Sequence, residues 1–549
     1  MMTHKVNPQR FGPDGLTTGD RRILLEMIAR YPEIELVTLF GSRAMGTFGQ
    51  GSDIDLALEG SHLTRAILAR LSADLEESNL PYRVDLLHRD QSLSAAVEKH
   101  IRKHGKVFYS ARAGLTMELL AEHVDLLIGF PFKSASYTTD LDGIRLVRGD
   151  NVVQGRLRWD NAVRWPNHLT EGMERYRLES GDVVLAMDRP WIEAGLKYAR
   201  IGQDDVPSLL VQRVARLRAA VDLDQGFLYY LVGSCAVTDH VLAIQTGTAV
   251  PHISGGQILA FQFSLPPLPE QRAIASVLGS LDDKIEQNRR TARELERLAR
   301  AIFRAWFVDF EPVKAKAAGA TSFPSMPRQV FDALPTHLVD SEIGPVPEGW
   351  EMKTIGDVVT VKGGATPSTK KPEYWEGGVH CWATPKDMSR LLHPVLLDTD
   401  RHITDAGVAC INSGLLPEGS VLLSSRAPVG YLAIAAVLTA INQGFISMVC
   451  DGPLPSSYIL NWAFQSLDAI KARASGTTFP EISKKNFRPL HVVVPPSAVV
   501  GAFTKLANPL FDLMTACVKE NARLAKMRGY LLPKLLSGEV RVDGREEIC

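Results

Sequence analysis

A heptad pattern of apolar and small residues, just after a proline-rich turn, constrains the fold of this 549-residue chain more than any other feature. Its steps alternate between four and three residues through Ile274, Leu278, Leu281, Ile285, Asn288, Ala292, Leu295, Ala299, Ile302 and Trp306. Such spacing is typical of a long helix packed lengthwise against another helix. Three prolines predict that this helix begins near Glu270. A rod of ~38 residues would be roughly 57 Å long and could bridge solvent, pair with a second chain, or pair within this chain.

An internal repeat at an offset of 229 residues supplies a partner within the chain. The stretch TGTAVPHIS at Thr246–Ser254 recurs as SGTTFPEIS at Ser475–Ser483. The heptad positions recur as Phe503, Ala507, Leu510, Met514, Cys517, Asn521, Leu524, Arg528, Leu531 and Leu535. The chain is therefore predicted to contain two copies of a globular module followed by a long helix. Asn288 and Asn521 either set the register of the helix pair or mark stretches exposed to a partner.

Composition excludes several classes of protein. The formal net charge is -1, so a nucleic-acid surface would have to be a local patch. The six cysteines are scattered without a CxxC pair, which argues against a zinc site or disulfide framework and favours a reducing cytoplasm. No apolar run approaches ~18 residues, so no membrane association is expected. The sequence has no GxxxxGK[ST] phosphate loop, and NPLF at Asn508–Phe511 falls inside the second long helix, where a structural role is expected.

The first hundred residues carry acidic residues in strand-like segments. Asp53 and Asp55 alternate with apolar residues, so both carboxylates would share one face of a strand. Asp85 lies in a second such run, Tyr82–Leu87. Three converging carboxylates are costly to bury without cations and suit magnesium. Gly41 and Ser42 follow an apolar strand and could hold a phosphate at a strand-to-helix turn. The alternative for the acidic pair is a solvated strand edge.

These residues resemble the small nucleotidyltransferases of the polymerase-beta superfamily, above all the minimal type that serves as antitoxin in bacterial toxin–antitoxin pairs. The resemblance covers roughly 16–110. It implies a nucleotidyltransferase fold in which Asp53, Asp55 and Asp85 are catalytic and bind Mg²⁺, while Gly41 and Ser42 bind the nucleotide. It also implies a toxin as a possible partner. His88 and His100 are expected to be surface residues.

The duplicated region resembles the specificity (S) subunits of type I restriction–modification systems. The phrases that carry this resemblance are LPPLPEQRAIASVL (Leu265–Leu278), RAWFVDFEPV (Arg304–Val313), IGPVPEGWE (Ile343–Glu351), NQGF (Asn442–Phe445) and LLPKLLSGEVRV (Leu531–Val542). The resemblance implies that each module is a target-recognition domain reading one half of a split double-stranded DNA site, with the helices paired antiparallel as a spacer. It implies methyltransferase (M) subunits, which bring S-adenosylmethionine, and a motor–nuclease (R) subunit as partners.

The predicted fold is multidomain α+β, in six segments. These are a nucleotidyltransferase-like domain over 1–112, target-recognition domain one over 113–268, a spacer helix over 269–310, a linker over 311–343, target-recognition domain two over 344–497 and a second spacer helix over 498–540. Strands of module one are predicted within Gly129–Tyr137, Ile144–Val152 and Gly181–Met187. Module one lacks a counterpart of PEGWE, so its first strand is expected to be altered.

DNA contacts are predicted only by residue type, since Arg, Lys, Asn and Gln read bases in the grooves and Lys, Arg and amides bind phosphates. The candidates are Lys133, Ser134, Arg145, Arg148, Lys362, Thr366, Lys370, Lys371 and Arg426. Two functions remain open. The chain is either the DNA-specificity subunit carrying an extra domain, or a nucleotidyltransferase that modifies a partner and is targeted by the duplicated modules.

Overall fold

A computed structural model describes residues 14–49, 51–89, 93–110, 117–160, 162–245, 251–426, 428–476 and 480–542. It divides into two compact units. The first comprises Met1–Leu281 and Met527–Cys549, and the second comprises Asp282–Lys526. Each unit therefore contains one end of each long helix.

The front domain is a four-stranded sheet in the order β3-β2-β1-β4, flanked by helices. Its elements are α1 (Thr18–Ile28), β1 (Leu36–Phe40), α2 (Gly41–Met45), β2 (Ile54–Glu59), α3 (Arg65–Glu76), β3 (Val84–His88), α4 (Ala95–His104) and β4 (Lys106–Ser110). The central strand pair is antiparallel, and β3 runs parallel to β2. Helix α1 begins at Thr18 because Thr17 and Asp20 form a capping box, in which the Thr17 hydroxyl accepts from the Asp20 amide at 3.1 Å.

Module one contains a five-stranded sheet in the order β6-β15-β10-β13-β8 and a three-stranded sheet in the order β14-β7-β9. Its elements are β5 (Met117–Leu119), α5 (Leu120–His123), β6 (Val124–Ile128), β7 (Ile144–Val147), β8 (Gln154–Gly155), β9 (Arg164–Trp165), β10 (Val183–Ala186), β11 (Trp191–Ile192), β12 (Gly195–Leu196), β13 (Tyr198–Arg200), β14 (Ser208–Leu210), β15 (Val214–Ala219), α6 (Gln225–Val232), α7 (Cys235–Ile244), α8 (Gly255–Leu259) and β16 (Gln262–Ser264).

Two long helices of 40 residues each, α9 (Leu268–Phe307) and α18 (Ser497–Leu536), follow the modules. Helix α9 starts two residues before the predicted Glu270, because Pro269 lies in the first turn, where a missing amide costs no hydrogen bond. Between the helix and module two lie α10 (Glu311–Ala317), α11 (Arg328–Asp332), β17 (Leu338–Val339) and β18 (Val346–Pro347).

Module two repeats the plan of module one. Its five-stranded sheet has the order β20-β27-β24-β25-β22, and its three-stranded sheet has the order β23-β21-β26. Its elements are β19 (Glu351–Thr354), α12 (Ile355–Val358), β20 (Thr360–Gly363), β21 (His380–Ala383), α13 (Pro385–Ser389), β22 (Val395–Leu396), β23 (His402–Ile403), α14 (Asp405–Ala409), β24 (Val421–Ser424), β25 (Leu432–Ala435), β26 (Thr439–Ile441), β27 (Phe445–Val449), α15 (Ser456–Gln465), α16 (Leu467–Ala472), α17 (Lys484–Phe487) and β28 (His491–Val494).

The first strand of module one is present although the sequence lacks the PEGWE opening. Strand β5 pairs antiparallel with β16, just as β19 pairs antiparallel with β28 in module two. The strand predicted within Gly129–Tyr137 is wrong: only Phe130 forms an isolated bridge there, and Ser134–Ser136 make a 3₁₀ turn. Much of the repeated stretch at Thr246–Ser254 and Ser475–Ser483 lies outside the described residues.

The two long helices pack antiparallel along the predicted seam. In the second unit, the Asn288 side-chain amide donates to Asn521 at 3.1 Å and to Glu520 at 2.7 Å. Further along, the Trp306 and Phe503 rings lie 6.3 Å apart. In the first unit, Leu278 near the start of α9 shares a core with Leu535 near the end of α18. Residues later in α9 therefore contact residues earlier in α18, as in an antiparallel pair. This confirms the predicted coiled coil.

The segment 311–343 is a packed connection rather than the loose linker that its Ala-, Pro- and Ser-rich composition predicted. Val313 and Phe331 are each 1 % exposed and belong to the core of the second unit. Lys316 closes the segment by donating to the Asp332 carbonyl at 2.6 Å. A few apolar residues anchor the stretch and outweigh its linker-like composition.

Among the described residues, no single helix is long and apolar enough to cross a membrane. One bent pair, α6 and α7 at 56°, meets that criterion jointly, by length and composition only. Phe227, Leu228 and Val241 of this pair are buried in the core of module one.

Candidate functional sites

The three predicted carboxylates of the front domain converge at one end of its sheet. Asp55 on β2 is the register partner of Asp85 on β3, and Asp53 directly precedes β2. Burial, followed by the nearby charges of Asp85 and then Asp53, raises the pKa of the Asp55 carboxyl. Neighbouring carboxylates destabilise the ionised form of one another and attract a cation. This donor set of oxygens alone fits magnesium.

Gly41 is required where β1 turns into α2. Its φ is +71°, and a Cβ at this position would lie 2.0 Å from the Asp55 Oδ2 atom. A side chain there would both strain the backbone and displace the carboxylate. Ser42 follows as the second residue of α2 and is half-buried, so the structure places both predicted phosphate-binding residues beside the carboxylates.

Arg43, which sequence reasoning missed, anchors this site. It is 1 % exposed, and its guanidinium donates to the carbonyls of Ser52 at 2.7 Å, Asp53 at 3.1 Å and Asp14 at 2.9 Å. The guanidinium also lies 4.2 Å from the centre of the Tyr82 ring. Arg43 thus fixes the backbone that carries Asp53. No local pattern in the sequence marks this role, because the acceptors are backbone carbonyls that the fold brings near.

His100 lies closer to the carboxylates than its expected surface position suggested. It is half-buried on α4, with its ring 6.5 Å from that of Phe40. When protonated, its positive charge lowers the pKa of Asp55, opposing the larger effects of burial and of the neighbouring acids. His88 ends β3 on the same sheet.

Module two brings three of its predicted DNA contacts together on the segment between β20 and β21. Thr366, Lys370 and Lys371 are exposed. The Thr366 hydroxyl donates to the Gln443 side chain, and Lys371 donates to the Tyr374 hydroxyl at 3.2 Å. Gln443, from the NQGF phrase, was not among the predicted contacts, although its amide suits base edges.

A tryptophan pair supports this segment, called here the lysine loop (residues 364–379). The Trp375 ring packs edge-on against Trp382 of β21 with centroids 5.0 Å apart. The Arg401 guanidinium lies 3.6 Å from the centre of the Trp375 ring. Lys362 lies just before the loop on β20 and is half-buried. Arg426 is separate from this group, since it pairs with Glu481 at 3.8 Å.

Module one brings together Lys133, Ser134 and Arg148. Lys133 and Ser134 are exposed at the 3₁₀ turn, and Arg148 lies 5.6 Å from the centre of the Tyr137 ring at the end of that turn. Arg145 is engaged inside the module instead, donating to the Asp204 carbonyl at 2.6 Å. It also stacks 4.5 Å from Trp159, and burial lowers the pKa of its guanidinium.

Comparison with known proteins identifies both regions. Residues 164–297 and 347–499 match the family described as type I restriction modification DNA specificity domain. The chain belongs to this family. Residues 23–113 match the family described as polymerase beta, nucleotidyltransferase, so the front domain is a nucleotidyltransferase domain. Both resemblances stated from the sequence are thereby confirmed.

Several relatives of the specificity family span most of the duplicated region. The HindI specificity subunit of Haemophilus influenzae is 26 % identical over 414 residues, which is 67 % of this chain and 88 % of that protein. The MjaIX specificity subunit of Methanocaldococcus jannaschii is 25 % identical, covering 58 % of this chain and 69 % of that one.

Solved structures of specificity subunits and of toxin–antitoxin complexes also match. The S subunit from M. genitalium is 14 % identical with a TM-score of 0.49, covering 77 % of this chain and 96 % of that one. A toxin–antitoxin complex with AMP-PNP is 27 % identical over 16 % of this chain and 73 % of that chain, with a TM-score of 0.15.

Proposed function

We propose that this chain supplies DNA specificity to a type I restriction–modification complex, with each module reading one half of a bipartite double-stranded site. The observation that carries the proposal is the repetition of one sheet topology in two modules joined by paired 40-residue helices. Methyltransferase (M) subunits would contribute S-adenosylmethionine and a motor–nuclease (R) subunit would cut, because the relatives that the chain resembles are specificity subunits of type I restriction enzymes. A cytoplasmic location accords with contact to chromosomal DNA.

The proposed DNA-facing groups are the lysine loop of module two and the turn at Lys133–Tyr137 of module one. Lysines at these exposed positions would contact phosphates, while Thr366 and Gln443 offer groups that can read base edges. Arg145 and Arg426 remain proposed contacts of lower weight, because intramolecular partners already hold their guanidinium groups.

The test is a matched shortening of the helix pair. Removing Ile285–Thr291 from α9 and Val518–Leu524 from α18 deletes one heptad from each helix and keeps the remaining seam in register. Wild-type protein with its M partner is expected to methylate a site whose half-site centres are roughly 34 Å apart. The shortened protein should prefer the same half-sites brought about 10 Å closer, roughly three base pairs.

Deleting the heptad from α9 alone is the control, since it mismatches the seam and should abolish binding instead of shifting the spacing. Methylation-site sequencing after reaction with the M subunits gives both the half-sites and their spacing. New half-site bases at an unchanged spacing would contradict the role of the helices as a spacer.

We further propose that the front domain transfers a nucleoside monophosphate from a triphosphate to a hydroxyl group on a partner, with a toxin protein as one candidate. An oxygen–phosphorus bond to the incoming hydroxyl would form at the α-phosphorus, and the bond to pyrophosphate would break. Asp85 would accept the hydroxyl proton, while Asp53 and Asp55 hold the cation beside Gly41 and Ser42. Magnesium bound there would supply charge neutralisation for the phosphate oxygens.

Labelled ATP and magnesium, with the purified chain and with lysate proteins, test this activity. Wild type should transfer label, Asp53→Asn with Asp55→Asn should not, and Glu76→Gln on the exposed face of α3 should behave as wild type. Transfer that survives in the double variant would place the chemistry elsewhere. A small toxin gene beside the coding sequence would favour this activity as the main one, whereas methyltransferase and nuclease genes would favour DNA specificity.

A further inference from the structure

We propose that Cys381, Asp398 and His402 in module two bind a divalent transition-metal ion of the zinc type. A thiolate, an imidazole and a carboxylate form a set that zinc accepts, whereas magnesium prefers oxygen ligands alone. The site is separate from the carboxylates of the front domain, and it lies on the three-stranded sheet of module two.

The geometry of the three side chains matches a tetrahedral site. Cys381 on β21 and His402 on β23 are direct register partners. Their Sγ and Nε2 atoms lie 3.8 Å apart, and the Asp398 Oδ1 atom lies 3.7 Å from Sγ and 2.9 Å from Nε2. Ordinary zinc bond lengths to sulfur, nitrogen and oxygen in a tetrahedron place such ligand atoms about 3.3–3.6 Å from one another. Shifts of a few tenths of an ångström would complete the first three positions.

Burial leaves one side of the cluster open. Cys381 is 9 % exposed, the His402 side chain is 33 % exposed and the Asp398 side chain is 69 % exposed. The thiol therefore lies at the base of a shallow site, and the carboxylate lies at its rim. An ion can enter from the rim, and water or an added ligand can occupy the fourth position.

Neighbouring hydrogen bonds hold the ligand-bearing segment against β21. Asp398 Oδ1 accepts from the Thr399 amide at 2.9 Å. The Thr399 hydroxyl accepts from the Trp382 amide at 3.0 Å and donates to the Arg401 carbonyl at 2.7 Å. These contacts hold Trp382, which follows Cys381, and Arg401, which precedes His402, as outer partners do in metal sites.

The same sheet contains a natural comparison. His380, next to Cys381, pairs with Asp405 at 2.8 Å. Among the described residues, no cysteine joins this histidine–carboxylate pair to form a third potential ligand. In module one, the positions in register with Cys381 and His402 are Arg145 and Arg164, which are themselves cross-strand partners. Two guanidinium groups repel a cation, so the site is a property of module two alone.

Cysteine spacing along the sequence argued against zinc, because no CxxC pair occurs. The fold brings Cys381 to His402 across a strand pair, with only one cysteine involved. The alternative to a metal site is a hydrogen-bonded group of the three side chains without an ion. The experiment must distinguish these two possibilities.

The experiment titrates Co²⁺ into the full-length reduced protein and follows the thiolate-to-cobalt charge-transfer absorption, which a carboxylate site does not produce. Wild type should bind one thiolate-ligated equivalent, and Zn²⁺ should displace it. Cys381→Ser should abolish the band, while His402→Gln and Asp398→Asn should each weaken binding about tenfold or more, measured by competition with a chromophoric chelator.

Two matched variants serve as controls. Cys410→Ser replaces an exposed cysteine outside the cluster, and His380→Gln removes the neighbouring histidine, so both should bind as wild type. Zn²⁺ should also raise the melting temperature of wild type but not of Cys381→Ser. Absence of the band in wild type, or wild-type affinity in Asp398→Asn, would overturn the proposal. Asp398→Asn keeps the test decisive if Cys381→Ser folds poorly, because its side chain lies at the exposed rim.

Discussion

The two modules share a scaffold and differ in the side chains mounted on it. Strand for strand, both have a five-stranded sheet, a three-stranded sheet and an initial antiparallel pair. In the register of the small sheets, however, Arg145 and Arg164 of module one stand where Cys381 and His402 stand in module two. The segments that precede the small sheets each contain a 3₁₀ turn, Ser134–Ser136 in module one and Pro372–Tyr374 in module two, but they present different side chains.

This difference separates the parts that packing restrains from the parts that are free to change. The central strands of the large sheets are fully buried, as in Val183–Ala186 and Val421–Ser424, where a change of volume would leave a cavity or a clash. Exposed positions lie on the loops beside the small sheets, as at Lys370 and Lys371, and single positions of the small sheets, such as Arg145 and His402, are half-buried. Substitution there alters what the surface can bind without altering the core.

The largest losses of stability are expected from substitutions in the cores at the two ends of the helix pair. The end in the second unit is packed with aromatic rings. Phe503 is fully buried among Phe303, Trp306 and Tyr458 in the second unit. Phe503→Ala should lower the free energy of unfolding of that unit by about 3–5 kcal/mol. Leu535→Ala should lower that of the first unit by about 2–5 kcal/mol.

Hydrogen exchange read by mass spectrometry can assign each loss to its unit. Lys505→Ala, on the exposed face of α18, is the control and should change little. A uniform loss of protection in both units from either substitution would show that the two ends do not respond separately.

The next prediction compares Arg145, which is hydrogen-bonded inside module one, with Lys371, which is exposed on module two. Arg145→Gln should destabilise module one by about 1.5–3 kcal/mol, because it removes the charge from the donor that hydrogen-bonds to the Asp204 carbonyl. Lys371→Gln should leave stability unchanged and lower the salt dependence of DNA binding by about one unit of slope.

Binding isotherms at several salt concentrations, beside thermal melts, check this pair. Glu373→Gln in the same loop is the matched control, because it removes a charge that repels phosphate and should not weaken binding. A steep loss of salt dependence in Arg145→Gln would make Arg145 a DNA contact.

A smaller effect concerns the pKa of Asp55 in the carboxylate site of the front domain. The metal site proposed in module two serves as the comparison. Because burial and Asp85 raise the pKa of Asp55 in the folded state, the folded protein holds this proton more tightly than the unfolded chain. This proton therefore stabilises the folded protein at low pH. The contribution to the free energy of unfolding is lost as pH rises from the ordinary carboxyl pKa to the raised pKa of Asp55. Asp55→Asn should remove that loss and raise the melting temperature of the front domain near neutral pH.

Differential scanning fluorimetry across pH 3–8 measures this shift, with Glu76→Gln as control. Magnesium should raise the melting temperature of wild type and not that of Asp55→Asn, while zinc should act through module two in both. An unchanged pH dependence in Asp55→Asn would assign the effect to other groups.

The smallest effect concerns the polar layer of the helix pair. Replacing Asn288 and Asn521 together with leucine should increase stability modestly, because a buried amide layer specifies register at a cost in stability. Replacing only Asn288 should lower stability, since it leaves Asn521 without its donor. Chemical denaturation of the two variants side by side measures the difference.

The helix pair was predictable from a local period of 3.5 residues, the shared face of Asp53 and Asp55 from a period of 2, and the duplication from matching phrases 229 residues apart. The approach of Asp85 depends on the pairing of β2 with β3, and it was expected from the motif as a whole rather than from a local period. The strand expected within Gly129–Tyr137 was wrong because Pro131 and a serine-rich turn interrupt an otherwise apolar run. The anchoring role of Arg43 could not be predicted, since its acceptors are backbone carbonyls that only the folded loop brings near. The meeting of Cys381 with His402 depended on strand register, which has no local signature.

The division of the chain into units has a consequence for synthesis on the ribosome. The core of module one includes Leu535, and the first unit includes Met527–Cys549, which are synthesised after module two. At roughly 5–20 residues per second, translation of Asp282–Lys526 takes on the order of 12–50 s. Throughout that interval, while module two is being synthesised, the apolar residues around Leu278 lack their contacts with Leu535. The core of module one can therefore be completed only after module two has been synthesised.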